Sequence, residues 1–129
     1  LWSSIPDDRL LTLAEQGRLA DVAVLRGEVQ RMLRDRKAGA LVDSFASQWL
    51  GLRKAASFQP DPNVFPEFDE NLRRALIEET SRFIADQLRA DRSVLDLVRA
   101  DYSFVNERLA QHYGLPNIVG DRFRRVTFD

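Results

Sequence analysis

The chain contains no cysteine, and that one absence removes several chemistries together. Disulfides, zinc–thiolate sites, iron–sulfur clusters and covalent c-type haem attachment all need thiol side chains, so none can be built from these residues. Histidine is nearly as scarce, with His112 alone. A carboxylate-bridged di-iron bundle needs two Glu-x-x-His pairs, which one histidine cannot supply. Glycine is scattered at six positions, with no phosphate-cradling loop, dinucleotide fingerprint or Gly-x-Ser-x-Gly elbow. No cofactor is therefore expected. With 19 basic and 20 acidic side chains the formal charge is −1, too close to zero for a field that would draw in nucleic acid. No apolar run is long enough to span a bilayer, and no signal-peptide pattern is present.

What is present is the composition of one ordinary globular domain, 129 residues with 44% hydrophobic and 30% charged side chains. Its dominant period is helical. Ser3 or Ser4 ahead of Pro6-Asp7-Asp8 reads as a helix start, and Gly17 as its stop. Asp21 can cap a second helix, on which Val22, Leu25, Val29, Met32 and Leu33 recur at the spacing of one buried face. A third helix, over about 38–52, carries Leu41, Val42, Phe45, Ala46, Trp49 and Leu50, an apolar surface wide enough for the middle of a bundle.

Pro60, Pro62 and Pro66 interrupt this period and predict a long loop over 53–68, with Phe58, Val64, Phe65 and Phe68 as its anchors. Asp69 then caps the longest helix, to about Ala90, and Ser93 with Asp96 resembles a capping box for a short one. Ser103 is the predicted cap of a last helix that Gly114 and Pro116 end. From Asp121 to Asp129 the pattern becomes strand-like, with no second convincing strand to pair with. The expected fold is all-α, an irregular bundle of about five or six helices with a long Pro-rich loop and a short strand-like tail. Residues 1–120 form the expected domain, and 121–129 a tail leading to an absent following domain. The start at Leu1 rather than Met agrees with a piece cut from a longer protein.

Candidate chemistry gathers between Asp101 and Gly114, which holds the one histidine and both tyrosines. His112 falls seven residues after Val105 and three after Leu109, on a common helical face. Glu79 lies near the apolar stripe of the long helix, where a carboxylate needs a partner. Arg53, Gln48, Tyr102 or His112 could supply one, as a structural network or as a site with a perturbed acid. No catalytic set is complete within the chain, so the candidate polar cluster is His112, Tyr113, Asn106, Glu79 and Arg53.

Several ordered motifs carry a resemblance. They are Leu1-Trp-Ser-Ser-Ile-Pro-Asp-Asp-Arg-Leu-Leu11, Phe45-Ala-Ser-Gln-Trp-Leu-Gly-Leu-Arg53, Pro60-Asp-Pro-Asn-Val-Phe-Pro-Glu-Phe-Asp69, Arg92-Ser-Val-Leu-Asp-Leu97 and Asp101 to Gly114. Together they resemble a helical domain of unknown function found in large secreted planctomycete-type proteins, often beside a c-type cytochrome module. Pro6, Asp7, Trp49, Arg53, Glu79, Asn106, His112 and Tyr113 match that pattern. The resemblance implies an extracytoplasmic setting, neighbouring domains of a parent protein as partners, and an electron-transfer context, but no catalytic residues. The expected function is a structural or interaction module. The alternative is one part of the active site of an extracellular enzyme acting on polysaccharide or another polymer.

Overall fold

The helix starts follow from short polar side chains placed ahead of apolar runs. In the computed structural model, which describes residues 1–128, Asp7 caps α1 (Asp8–Glu15) by accepting the backbone N–H of Leu10 at 3.0 Å. Asp21 caps α2 (Val22–Arg34), and Asp69 caps α6 (Glu70–Arg89) in the same way. Ser3 and Ser4 are not caps. Asp7 takes that role because it sits immediately before the first helical residue, where its carboxylate reaches the orphan donors. Between α2 and α6 lie α3 (Gly39–Leu41), a π-helical turn (Val42–Ala46), α4 (Ser47–Trp49) and α5 (Leu52–Ser57). After α6 come α7 (Asp96–Arg99), β1 (Tyr102–Val105), α8 (Glu107–Tyr113) and β2 (Arg124–Thr127). The chain is thus mostly helical, with one small antiparallel sheet.

Contacts divide it into two compact units, Leu1–Phe45 and Ala46–Asp129. In the first, α1 and α2 are tied by charge. Arg31 donates to both oxygens of Asp7, at 2.8 and 3.2 Å, and its Nε donates to Glu28 at 2.7 Å. Arg9 donates to the other oxygen of Glu28 at 2.8 Å. Glu28 is consequently the buried side chain of α2, only 3% exposed, whereas Val22, Leu25 and Val29 face outward. The expected apolar burial of this helix is reversed because two arginines draw the carboxylate inward, satisfying a charge that could not otherwise leave water. Trp2 is buried beside this network. Its indole N–H donates to the Met32 carbonyl at 2.9 Å, and Arg31 and Lys37 stand over its ring.

The helical run through 39–49 is less buried than its composition predicts. A π turn holds more residues than an α turn, so it rotates the following side chains out of register with those before it. Val42 and Ala46 are buried, while Phe45, Trp49 and Leu50 are exposed. The following segment also departs from expectation: Leu52–Ser57 is helical, and of the four predicted anchors Phe58, Val64 and Phe65 are exposed. Only Phe68 packs against the core.

The second unit is built on α6. Leu72 and Ala75 of that helix pack with Val105 of β1 and Leu109 of α8, and Leu76, Leu115, Ile118, Phe123 and Val126 close around them. Residues 102–105 are a strand, not the start of the last helix. Tyr102, Phe104 and Val105 favour extended backbone, and β2 supplies the partner that an isolated strand lacks. The register pairs Tyr102 with Thr127 and Val105 with Arg124. The strand-like tail therefore folds back onto the chain itself. Its last residue, Asp129, lies outside the described residues. Since Ser103 is within the strand, Asn106 caps α8 instead, and Gly114 ends it in the left-handed region at φ 69°.

Candidate functional site

The polar centre of the second unit is Glu79, on the third turn of α6. Both of its oxygens are engaged: Ser103 of β1 donates its hydroxyl to one, and Tyr113 at the end of α8 donates to the other at 2.7 Å. Burial of the Tyr113 hydroxyl and its bond to an anionic acceptor together push its pKa well above the ordinary tyrosine value. The His112 ring lies beside that of Tyr113, with centroids 5.3 Å apart, and is itself exposed.

Of the five sequence candidates, this brings together Glu79 and Tyr113, with His112 against the tyrosine. Asn106 is elsewhere in the unit, its side-chain oxygen accepting the Leu109 N–H at 3.1 Å. Arg53 is exposed on α5 and makes no bond to Glu79 among the described residues. Glu79 thus obtains its partners from hydroxyls, not from the arginine or the imidazole. Two neutral donors thus satisfy both oxygens of the carboxylate, and tie β1 and the end of α8 to α6.

A second network was missed by sequence reasoning. Tyr102 donates its hydroxyl to Asp86 at 2.7 Å and accepts from the Gln87 amide at 2.9 Å. Arg92 and Arg125 lie over its ring, with the Arg125 guanidinium 3.8 Å from the centroid. Burial first, and the bond to Asp86 second, raise the Tyr102 pKa. The sequence did hold a signal for it: Asp86 falls seven residues after Glu79, two helical turns along the same face of α6. What it did not hold was the strand that carries Tyr102 and Ser103 to that face.

A third feature is an open groove of about 850 Å3 between α6, α8 and the segment leading into β2. Asn71, Arg74, Asn106, Gln111, Asp121 and Phe123 are among the residues lining it. A reciprocal lock holds its rim: the Glu107 N–H donates to the Gly120 carbonyl at 3.1 Å, and the Gly120 N–H donates to the Glu107 carboxylate at 2.6 Å. Among the described residues there is no group of three or more His, Asp or Glu side chains arranged to hold a metal ion, and no helix long and apolar enough to cross a membrane.

Compared with known proteins, residues 1–115 match the family model PSD4, described as a protein of unknown function (DUF1592). That match spans α1 to α8 and stops short of β2. No curated protein and no solved structure matches the chain.

Proposed function

We propose, from the premise that the chain belongs to the DUF1592 family of proteins of unknown function, that it works as a non-catalytic interaction module packing against neighbouring domains of a larger protein. One observation carries this reading. Among the described residues, eighteen large apolar side chains are exposed. Singly scattered apolar side chains are ordinary on a protein surface. Here, however, Phe45, Trp49, Leu50, Phe58, Val64 and Phe65 fall within one stretch of sequence, and aromatic side chains are the type enriched where proteins bury surface against each other. Meanwhile the ionisable groups of the second unit's core are engaged in structural bonds.

The parent protein in this reading is extracytoplasmic and cytochrome-linked. The motifs that resemble secreted, cytochrome-associated proteins support that setting, and since these residues hold no haem-attachment motif, a c-type haem in this reading belongs to another part of the parent. Hydroxyl-radical footprinting of the parent protein and of this chain alone tests the module. Labelling of Trp49, Phe58 and Phe65 is expected to fall several-fold in the parent. Equal labelling in both would remove the reading.

A second reading, part of an active site of an extracellular enzyme acting on a polymer, has the Glu79, Tyr113 and His112 grouping in its favour. It requires that His112→Ala abolish polymer cleavage by the parent while leaving its melting temperature unchanged.

A further inference from the structure

We infer that the outer edge of β2 is a docking surface for a second copy of this chain, the two strands pairing antiparallel about a two-fold axis at Val126. This goes beyond the packing role proposed above and does not depend on it. The strand lies past residue 115, where the family match ends.

In an antiparallel pair, opposed residues alternate between those that exchange both backbone bonds and those whose N–H and C=O groups point away from each other. Phe128 donates its N–H to the Asp101 carbonyl at 2.6 Å, and this fixes the alternation: Phe128, Val126 and Arg124 turn their backbone groups toward β1. Arg125 and Thr127 therefore turn theirs outward, where among the described residues no bond satisfies them. β1 packs against α6, while β2 is exposed at Arg124, Arg125 and Thr127.

Sheet edges are commonly guarded by charge, proline or a bulge. β2 contains no proline, its register with β1 is unbroken, and its two arginines are drawn back onto their own unit. Arg124 donates to the Val119 carbonyl at 2.6 Å, and the Arg125 guanidinium lies over the Tyr102 ring. An edge of this kind selects its ligand by backbone chemistry, because an extended strand offers a C=O to each open N–H and an N–H to each open C=O.

The side chains then favour the same strand of a second copy. A two-fold pair sets one surface against itself, so the edge must be complementary to its own sequence. Only the register centred on Val126 engages both outward residues of each strand, with Arg125 opposite Thr127 of the second copy and Thr127 opposite its Arg125. The same register sets Arg124 opposite Phe128 of the second copy and brings the two Val126 residues together on the axis. No like charges face each other, and a β-branched pair stands at the centre, both of which favour antiparallel pairing. Centring on Arg125 would oppose two arginines and carry Thr127 past the end of the facing strand.

Sedimentation equilibrium of the intact chain from micromolar to millimolar concentration, with amide hydrogen exchange followed by NMR, tests the inference. The mass is expected to rise toward that of two chains. Exchange at the Arg125 and Thr127 amides should slow as it does so, whereas the Val126 and Phe128 amides, bonded to β1, are slow throughout. Thr127→Arg sets an arginine against Arg125 of the second copy and should weaken association severalfold; Thr127→Asp sets a carboxylate there and should strengthen it severalfold. Thr127 is exposed, so both variants are expected to keep the helical circular dichroism of the parent chain, and the exchange measurement on the unaltered chain stands without them. A chain that sediments as one copy throughout would overturn the site. So would a dimer whose Arg125 and Thr127 amides exchange as fast as in dilute solution, or a shift in the same direction for both Thr127 variants.

Discussion

Tyr113 reaches across thirty-four residues of sequence to donate its hydroxyl to Glu79 at 2.7 Å, so that one carboxylate ties the end of α8 to the middle of α6. Ser103 occupies the other oxygen and ties in β1 as well. The three elements that form the core of the second unit therefore also share one polar junction. Because Tyr113 is partly exposed, Tyr113→Phe is expected to cost only about 1 kcal/mol, whereas Glu79→Ala strands two donors and costs about 2–3 kcal/mol. Urea unfolding of the two variants checks the order, and equal midpoints for both would contradict it.

The chain has two tyrosines, and both are bonded to carboxylates that raise their pKa. A group whose folded-state pKa lies above its unfolded value, here 10.0, contributes stability that is complete below that value and is lost as pH rises through the folded one. Absorbance at the phenolate band is thus expected to stay flat through the ordinary tyrosine range and to rise only at higher pH, together with loss of helical circular dichroism. A normal titration near pH 10 in a folded chain would refute this.

Acid acts on the other unit. Hydrogen bonds from Arg31 and Leu10 hold Asp7 below its ordinary value of 3.8. Burial pushes Glu28 upward, but its bonds to Arg9 and Arg31 outweigh that and leave it below 4.5. For depressed carboxyls the contribution to stability is present above the unfolded values and is lost as pH falls below them. Trp2 fluorescence, from an indole buried beside this network, is expected to report unfolding on acidification below these values. In Arg31→Met the same transition should move to higher pH; an unmoved midpoint would show that the network does not hold the unit.

Leu109 and Val105 have no exposed surface, and both pack against Leu72 and Ala75. Leu109→Ala should cost about 2–5 kcal/mol, the range for a truncated core leucine. Phe65 is 57% exposed, so Phe65→Ala in the isolated chain should change stability by less than about 0.5 kcal/mol. Thermal melts of the pair separate a core position from a surface one, although both residues are large and apolar.

Gly114 adopts φ 69°, and a methyl group added there would meet nothing within 4 Å. Gly114→Ala therefore tests backbone conformation without steric contact. A loss of about 1 kcal/mol is expected, measured by the same melts.

The helix ends were legible because they are local events. Asp21 and Asp69 cap, and Gly17 and Gly114 stop, through bonds and dihedral angles spanning three or four residues. The candidate cluster was legible only in part. Helical spacing places Glu79 near a buried face, but the local pattern makes Ser103 a helix cap, whereas it is a strand residue whose hydroxyl is one reason for the carboxylate to be there. A carboxylate near an apolar stripe invites an arginine such as Arg53, but two hydroxyls already meet that need.

By itself, then, the sequence determined the mostly helical character of the chain, the starts and stops of its longer helices, and the chemistries that missing thiols exclude. Those depend on side-chain identity and on neighbours a turn away. Only the tertiary structure decided that Tyr102–Val105 pairs with Arg124–Thr127, that Glu28 is buried while Val22 is exposed, and that Glu79 meets the hydroxyls of Ser103 and Tyr113. Each of these is a choice between partners far apart along the chain. It is made by which donors and acceptors can be satisfied together once the elements meet, and no local pattern contains that information.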